Sequence, residues 1–405
     1  MRIKDVVEIK NDKTADTSMP YVALENIVSW DAKFVESNSE TEGINNVFKA
    51  GDILFGKLRP YLAKGFIPTY DGICSTEFFV MKAKKGYDAN YLLKVFLSHS
   101  FIDHIRNQVS GVKMPRTSWD VFGSISIDIP PLPIQRRIVS YLDTKTIEID
   151  RKINLLERKR DAYLRLKTAT INHAVTRGLN PNAKLKDSGI EWIGLVPEHW
   201  EVIRLKDMGY LYSGLTGKSG DDFRNDDDSV TKLYIPFTNI LYNLEVSPDL
   251  LNRVVMEESE YQNKVKKGDL IFLMSSEDYE SIAKSAVVSE DIGEVYLNSF
   301  CRGYRIVKNN VDPIFVNFQL NSIIYRNRLR LEARGFTRIN MKVDKIASMS
   351  VVLPSYDDQR KIVAYLREQC KQIDKMISTI DQQTELYTRL KRSLINEVVT
   401  GQRTV

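Results

Sequence analysis

The sequence predicts an α+β chain in which two tandem-repeated globular domains are separated by two long helices forming an antiparallel coiled coil. Three observations point to this. The octapeptide Gln135-Arg136-Arg137-Ile138-Val139-Ser140-Tyr141-Leu142 returns 224 residues later as Gln359-Arg360-Lys361-Ile362-Val363-Ala364-Tyr365-Leu366. Behind each octapeptide, apolar residues recur at every seventh position. Ahead of each, the chain turns to short β-prone runs bounded by Gly, Pro and Asp.

The repeat sets the boundaries. From Gln135 to Thr176 the two copies align without a gap and share about 17 identities in 42 positions, among them Ile149-Asp150 with Ile373-Asp374 and Arg165-Leu166-Lys167 with Arg389-Leu390-Lys391. Upstream, Lys49-Ala50-Gly51-Asp52-Ile53-Leu54-Phe55 resembles Lys266-Lys267-Gly268-Asp269-Leu270-Ile271-Phe272, and Gly111, Asp120, Ser126 and Pro130 match Gly335, Asp344, Ser350 and Pro354. Arg2-Ile3-Lys4-Asp5 recurs as Arg204-Leu205-Lys206-Asp207. The expected order is a domain over 1–133, a helix over 134–177, a connecting segment over 178–203, a second domain over 204–354 and a second helix over 355–401.

In the first domain, Ile53–Phe55, Phe78–Val80 and Ile125–Ile129 read as strands, and Tyr91–Val109 carries helical spacing. The helix that follows places Leu142, Ile149, Leu156 and Tyr163 on one seam. The connecting segment is rich in turn formers: Gly178, Asn180-Pro181, Gly189, Gly194 and Pro197. In the second domain, Leu270–Phe272 and Val351–Leu353 read as strands and Pro313–Ala333 as helical; Leu366, Ile373, Ile380 and Tyr387 form the second seam. A helix of this length needs a partner, and the matching stripe makes the other helix the simplest one. Two helices each packed on its own domain is the other arrangement the stripes allow. A run of roughly 37 residues would extend about 55 Å, comparable to about 16 base pairs of duplex.

Composition excludes several classes. With 43% hydrophobic and 27% charged residues the 405-residue chain has ample core material and is neither a disordered tail nor collagen-like. It has no apolar run of about 18 residues and no leader-like h-region after Met1, so the expectation is a cytoplasmic protein without a membrane span. Cys74, Cys301 and Cys370 are odd in number and far apart, which disfavours a disulfide framework or zinc site.

Catalytic patterns are missing. Gly214-Leu215-Thr216-Gly217-Lys218-Ser219 has Tyr212 where a phosphate loop needs its first Gly. His99 and His104 fit no metal-hydrolase spacing, and His173 and His199 are isolated. Asp31-Ala32-Lys33 and Glu8-Ile9-Lys10 resemble fragments of a nuclease site but are equally ordinary on solvated strands. No catalytic residue, metal ligand or Gly-rich cofactor loop is assigned, and the chain reads as a binding protein.

The net charge of +5 is unevenly distributed: residues 134–177 alone carry +6, while 1–133 are neutral and 204–354 carry −1. Basic residues nevertheless gather in equivalent loops: Lys57, Arg59 and Lys64 around Pro60-Tyr61, then Lys113 and Arg116 beside Thr117. In the second copy Arg334, Arg338 and Lys342 lie beside Thr337 and Asn340. Arg and Lys grip phosphates or read guanine, and Asn reads adenine, so these loops suit DNA. Solvated loops without a ligand are the plain alternative. Arg158-Lys159-Arg160 in the first helix suits phosphate or a protein partner.

These residues resemble the DNA-specificity subunit of type I restriction-modification systems. The resemblance spans nearly the whole chain. Its marks are Gly51-Asp52-Ile53-Leu54-Phe55 with Leu58-Arg59-Pro60-Tyr61-Leu62, Ile129-Pro130-Pro131-Leu132-Pro133-Ile134-Gln135, and Ser188-Gly189-Ile190-Glu191-Trp192-Ile193-Gly194 with Pro197-Glu198-His199-Trp200. It implies two target recognition domains, each reading half of a split sequence in double-stranded DNA, and helices that set the gap and dock partners. The implied partners are two modification subunits, which use S-adenosylmethionine, and restriction subunits, which use ATP and Mg; no cofactor is expected on this chain. Candidate DNA contacts are then Lys57, Arg59, Tyr61, Lys64, Lys113, Arg116 and Thr117 in one domain and Ser275, Ser276, Arg334, Thr337, Arg338, Asn340 and Lys342 in the other. The first copy has no counterpart of the Trp-Ile-Gly and Pro-Glu-His-Trp segment, and Met274-Ser275-Ser276 replaces the Leu58-Arg59-Pro60 loop in the second. A free-standing DNA-binding regulator is the competing functional reading.

Overall fold

A computed structural model describes the chain except for Asn38, Glu40, Glu42, residues 109–113, Ser219, residues 224–230 and Glu258. It forms two units, one made of residues 1–159 with 379–405 and the other of residues 160–378. The first long helix, Leu132–Arg177, and the second, Tyr356–Val399, each contribute to both units.

Each unit is organised on a four-stranded antiparallel sheet of the same order. In unit 1 the neighbours are Val7–Lys10, Phe78–Ala83, Ile53–Gly56 and Gly65–Phe66; in unit 2 they are Gly209–Ser213, Cys301–Ile306, Leu270–Leu273 and Ser285–Val287. The central strands bury both faces, which is why Ile53-Leu54-Phe55 and Leu270-Ile271-Phe272 are continuous apolar runs rather than alternating ones. A second sheet in each unit, of four strands in unit 1 and three in unit 2, contains one parallel pair, Tyr21–Val22 with Gly72–Cys74 and Thr231–Ile235 with Val295–Leu297.

The repeated Gly-Asp has a structural cause. Gly51 and Gly268 sit at φ +86° and +90°, in the region that favours glycine, and open the turn into the central strand. The next residue closes that turn: Asp52 accepts from the Lys49 amide at 2.8 Å, and Asp269 from the Lys266 amide at 2.8 Å. Both carboxylates are almost fully buried and paired, Asp52 with Lys10 and Asp269 with Arg305 and the Tyr212 hydroxyl. A buried carboxylate needs such partners, so the motif fixes the strand's start and belongs to the scaffold.

The helical stretches divide in two. Ala89–Phe96 and His99–Arg106 are separated at Ser98, whose hydroxyl donates to the Val95 carbonyl and accepts from the Phe101 amide. Pro313–Leu320 and Ile323–Glu332 are separated at Ser322, whose hydroxyl donates to the Gln319 carbonyl. The first glutamine of each octapeptide ties these helices to the long ones. Gln135 accepts from the Asp88 amide and donates to the Pro130 carbonyl; Gln359 accepts from the Asp312 amide and donates to the Pro354 carbonyl. Both side chains are 1% exposed, so an amide there satisfies backbone groups that would otherwise be buried alone.

Within each unit the two long helices pack side by side with opposite polarity. In unit 1, Asp150 accepts from Lys391 at 2.7 Å and the Lys152 ammonium lies over the Tyr387 ring. In unit 2, Lys167 donates to Asp374 at 2.7 Å, and Ala174 and Val175 share a core with Ile362 and Leu366. The two ion pairs are repeat images of one another, which accounts for the identity at those four positions. Leu142, Ile149, Leu366, Ile373 and Ile380 are buried, while Leu156, Tyr163 and Tyr387 are half-buried. Fully burying a leucine contributes about 1.5–3 kcal/mol, so the seam residues at either end are the strongest anchors.

Two expectations change. Ile125–Ile129 is not a strand: its pairing is one bridge between Arg2 and Ser126, flanked by bonds such as Ile127 amide to Met1 carbonyl. Its repeat counterpart Ser350–Leu353 pairs over four residues with Glu201–Arg204. Residues 178–203 are more than a connector. They form a hairpin, Leu185–Asp187 with Leu195–Pro197, and bury Ile193, Val196 and Trp200 in unit 2, where Trp200 packs on Phe315 and Trp192 on Tyr325.

Candidate nucleic-acid interface

The same two loops meet in both units. In unit 1, the loop leaving Ile53–Gly56 runs beside residues 114–117: Leu58 bridges Arg116, the Arg59 amide donates to the Pro115 carbonyl at 2.7 Å, and the Thr117 amide donates to the Lys57 carbonyl at 3.1 Å. In unit 2, Ser275–Ser276 pairs with Ile339–Asn340, and the Met341 amide donates to the Met274 carbonyl at 2.9 Å. The pairing holds repeat phase, since Arg116 corresponds to Asn340 and Thr117 to Met341. Segments more than fifty residues apart are thus brought onto one surface, twice.

The predicted residues divide by what their side chains do. In unit 1, Arg59 and Tyr61 are exposed, and Arg59 holds a left-handed backbone at φ 48°. Arg116 is exposed and paired with Glu77. Lys57 and Lys64 are turned inward, donating to the Thr76 and Leu24 carbonyls at 2.9 and 2.7 Å. Burial lowers the Lys57 ammonium pKa, and the charge lies 5.1 Å over the Phe79 ring. Thr117 is 4% exposed because its backbone is locked to Lys57, and this takes it out of reach of a ligand. Lys113 lies outside the described residues.

In unit 2, Ser275 and Ser276 are buried rather than outward-facing. Ser275 accepts from Arg338 Nε at 3.0 Å, and the Ser276 hydroxyl accepts from the Asp278 amide, so both brace the loop. Arg334 is exposed but spends its guanidinium on the Leu331 and Ala333 carbonyls at the end of a helix. Asn340 donates to the Arg338 carbonyl. Arg338, Thr337 and Lys342 remain on the exposed face.

Several contributors escaped sequence reasoning. The residue just before the Phe78–Ala83 strand is Glu77, which receives Arg116; its counterpart before Cys301–Ile306 is Phe300, over whose ring Arg338 lies at 4.4 Å. One scaffold position therefore orients an arginine by charge in one copy and by stacking in the other. Arg326, 6% exposed, donates to the Glu280 and Ile282 carbonyls at 3.0 and 2.6 Å and holds the longer loop of unit 2. Burial and the neighbouring Arg330 push its pKa down to about 10. Phe336 is 103% exposed and Tyr279 45%. An aromatic residue between Arg334 and Arg338 was visible as a signal; the Arg338–Phe300 contact was not, because it is purely tertiary.

Among the described residues no reactive constellation accompanies these loops. Lys218 of the phosphate-loop-like run is 7% exposed and paired with Glu260. A polar cavity of about 540 Å³ in unit 2 contains Glu294, whose carboxyl is held down to about 2 by hydrogen bonds from Lys264, Tyr296 and Lys232. Such a satisfied carboxylate is unsuited to proton transfer near neutral pH. Burial pushes the Cys74 thiol up to about 12. Among the described residues no group of three or more His, Cys, Asp or Glu could hold a metal ion, and no helix is long and apolar enough to cross a membrane.

A family model described as the type I restriction modification DNA specificity domain matches residues 1–158 and 197–388. The chain is 23% identical over 357 residues to the specificity subunit of the type I restriction enzyme MjaVIII of Methanocaldococcus jannaschii, covering 87% of this chain and 76% of that one. It is 29% identical over 170 residues to the EcoDI specificity subunit of Escherichia coli, covering 38% and 36%. Its fold is similar to a chain in a solved structure concerned with complex assembly and conformational transition of the type I R-M system, with a TM-score of 0.73, 17% identity and coverage of 100% and 97%. The HsdS subunit from Thermoanaerobacter tengcongensis is similar at a TM-score of 0.54 and 18% identity, with coverage of 100% and 96%.

Proposed function

The chain belongs to the type I restriction-modification DNA specificity family, and we propose that its two paired-loop surfaces each read one half of an interrupted duplex target. As a member of that family it is the sequence-specific recognition subunit of a restriction-modification complex and not its catalyst. The observation that carries the two-half reading is the loop pair built twice at the same repeat phase with different side chains: Arg59, Tyr61 and Arg116 in one copy, Thr337, Arg338 and Lys342 in the other. Corresponding scaffolds with unlike readers suit two different half-sites.

The long helices then set the gap between half-sites and dock two modification subunits, with restriction subunits joining that assembly. An apolar groove on the helix pair of unit 1 supports docking. Leu155, Leu386 and Leu390 are half or more exposed there and line a cavity of about 660 Å³ with Lys152 and Lys159 at its rim. That composition fits an amphipathic helix with an acidic edge, taken from a modification subunit. S-adenosylmethionine, ATP and Mg belong to those partners in this reading.

Long-read methylome sequencing of a host carrying this chain and its cognate modification subunit is the test. The expected result is adenine methylation in an interrupted two-part sequence that disappears when the chain is deleted. Methylation confined to a continuous motif, or unaffected by the deletion, overturns the reading.

A further inference from the structure

The loop that ends in Asn340 is closed at its base by reciprocal backbone bonds, Arg334 amide to Asn340 carbonyl at 3.1 Å and Asn340 amide to Arg334 carbonyl at 2.8 Å. Gly335 sits at φ +143°, and a Cβ there would lie 2.0 Å from the Arg338 carbonyl oxygen, so this turn admits only glycine. The Tyr279 hydroxyl donates to the Gly335 carbonyl, Arg338 is held between Ser275 and the Phe300 ring, and Ala333 and Ile339 are buried beneath. Bonds at the base, sides and core therefore fix this loop. What it presents at its tip is Phe336, with a relative exposure of 103%.

A lone exposed apolar residue is ordinary on a protein surface. Phe336 differs in three respects: its pedestal is fixed by the bonds just described, its neighbours Arg338 and Lys342 are exposed cations, and the loop is one of the two that form the candidate DNA surface. An aromatic ring flanked by cations matches a duplex, whose phosphates take the charges while a base step takes the ring. Resting on the DNA-recognition reading above, we infer that Phe336 is a wedge that stacks into the duplex at one base step of the half-site read by unit 2. Inserting there, it unstacks that step, so it adds discrimination through the ease with which a given step opens.

The test uses the full chain assembled with its modification subunit and a duplex carrying the bipartite site. 2-Aminopurine replaces in turn each adenine of either half that is not itself methylated, and permanganate footprints the thymines not paired with a methylated adenine, since a methyltransferase flips its own target base. Wild type is expected to raise 2-aminopurine fluorescence or thymine reactivity at one step of a single half-site. Phe336→Ala, a change at a fully exposed position, is expected to abolish that signal and weaken binding about tenfold. Phe336→Trp is expected to retain both. Unchanged binding and signal in the alanine variant, or tight wild-type binding that leaves every probed base stacked, overturns the wedge while leaving DNA recognition intact. Wild-type binding no tighter to the bipartite site than to a scrambled duplex removes the underlying reading, and the wedge with it.

Discussion

Replacing Arg326 by isoleucine isolates what holds the unit 2 recognition loop in shape. The repeat supplies the control, because the equivalent position in unit 1 is Ile102, 2% exposed, beneath a loop three residues shorter. Isoleucine is thus compatible with the site sterically, but it cannot donate to the Glu280 and Ile282 carbonyls. Glu280 is exposed and its carbonyl can turn to water, whereas Ile282 is fully buried and its carbonyl would stay unpaired at about 1–3 kcal/mol. Removing a buried guanidinium, whose Nη1 has no partner, returns part of that. The net cost is about 2 kcal/mol, or roughly a thirtyfold rise in the open population of the loop. Hydrogen exchange should accelerate by that factor over residues 274–283 and little elsewhere, with binding weakened at one half-site only. Exchange indistinguishable from wild type across 274–283 would refute the claim that Arg326 restrains this loop.

Two further predictions concern single side chains. Arg116→Ala and Arg338→Ala should each impair one half-site by about 1–3 kcal/mol if the guanidinium contacts a base. Competition binding against half-site variants reads this directly, and equal weakening on every duplex would reassign the residue to phosphate. The Asp150 carboxyl sets a pH dependence: burial alone would raise it, but hydrogen bonds from Lys33 and Lys391 outweigh burial and hold it below the ordinary 3.8. A group depressed in the folded state contributes stability above its unfolded pKa and loses it as pH falls through the folded value. The stability difference between wild type and Asp150→Asn should therefore be full above about pH 5 and shrink as pH falls below the ordinary carboxyl value in thermal unfolding. A difference that persists undiminished in acid would count against the ion pair.

Much of the fold was legible because it is periodic. The octapeptide, the seven-residue stripe and the Gly-Asp turn each rest on local rules, and they located the central strands and both long helices. Ile125–Ile129 misled because its β-branched sequence is as strand-like as Ser350–Leu353, and strand propensity alone does not make a ladder. The connecting segment misled for the opposite reason, since its turn formers concealed Ile193 and Trp200, whose burial depends on a core assembled from distant residues. For the candidate interface, sequence named two loops that the fold brings side by side in each unit, but residue type alone did not separate exposed side chains from those bracing the loops. Lys64, Thr117, Ser275 and Ser276 look like DNA contacts by type, yet backbone carbonyls and packing claim them.

The interleaved halves of the helices also bear on the order in which this protein can be made. Unit 2 is one continuous stretch, residues 160–378, whereas unit 1 needs residues 379–405 to complete its helix pair and to bring Leu394, Val398 and Val399 into its core. A ribosome therefore delivers all of unit 2 before unit 1 is complete. The domain synthesised first is the last able to close, and until Asn396 reaches Ser100 the nascent first domain carries an apolar face with no wall. Residues 379–405, made after all of unit 2, thus complete a domain whose other residues precede it.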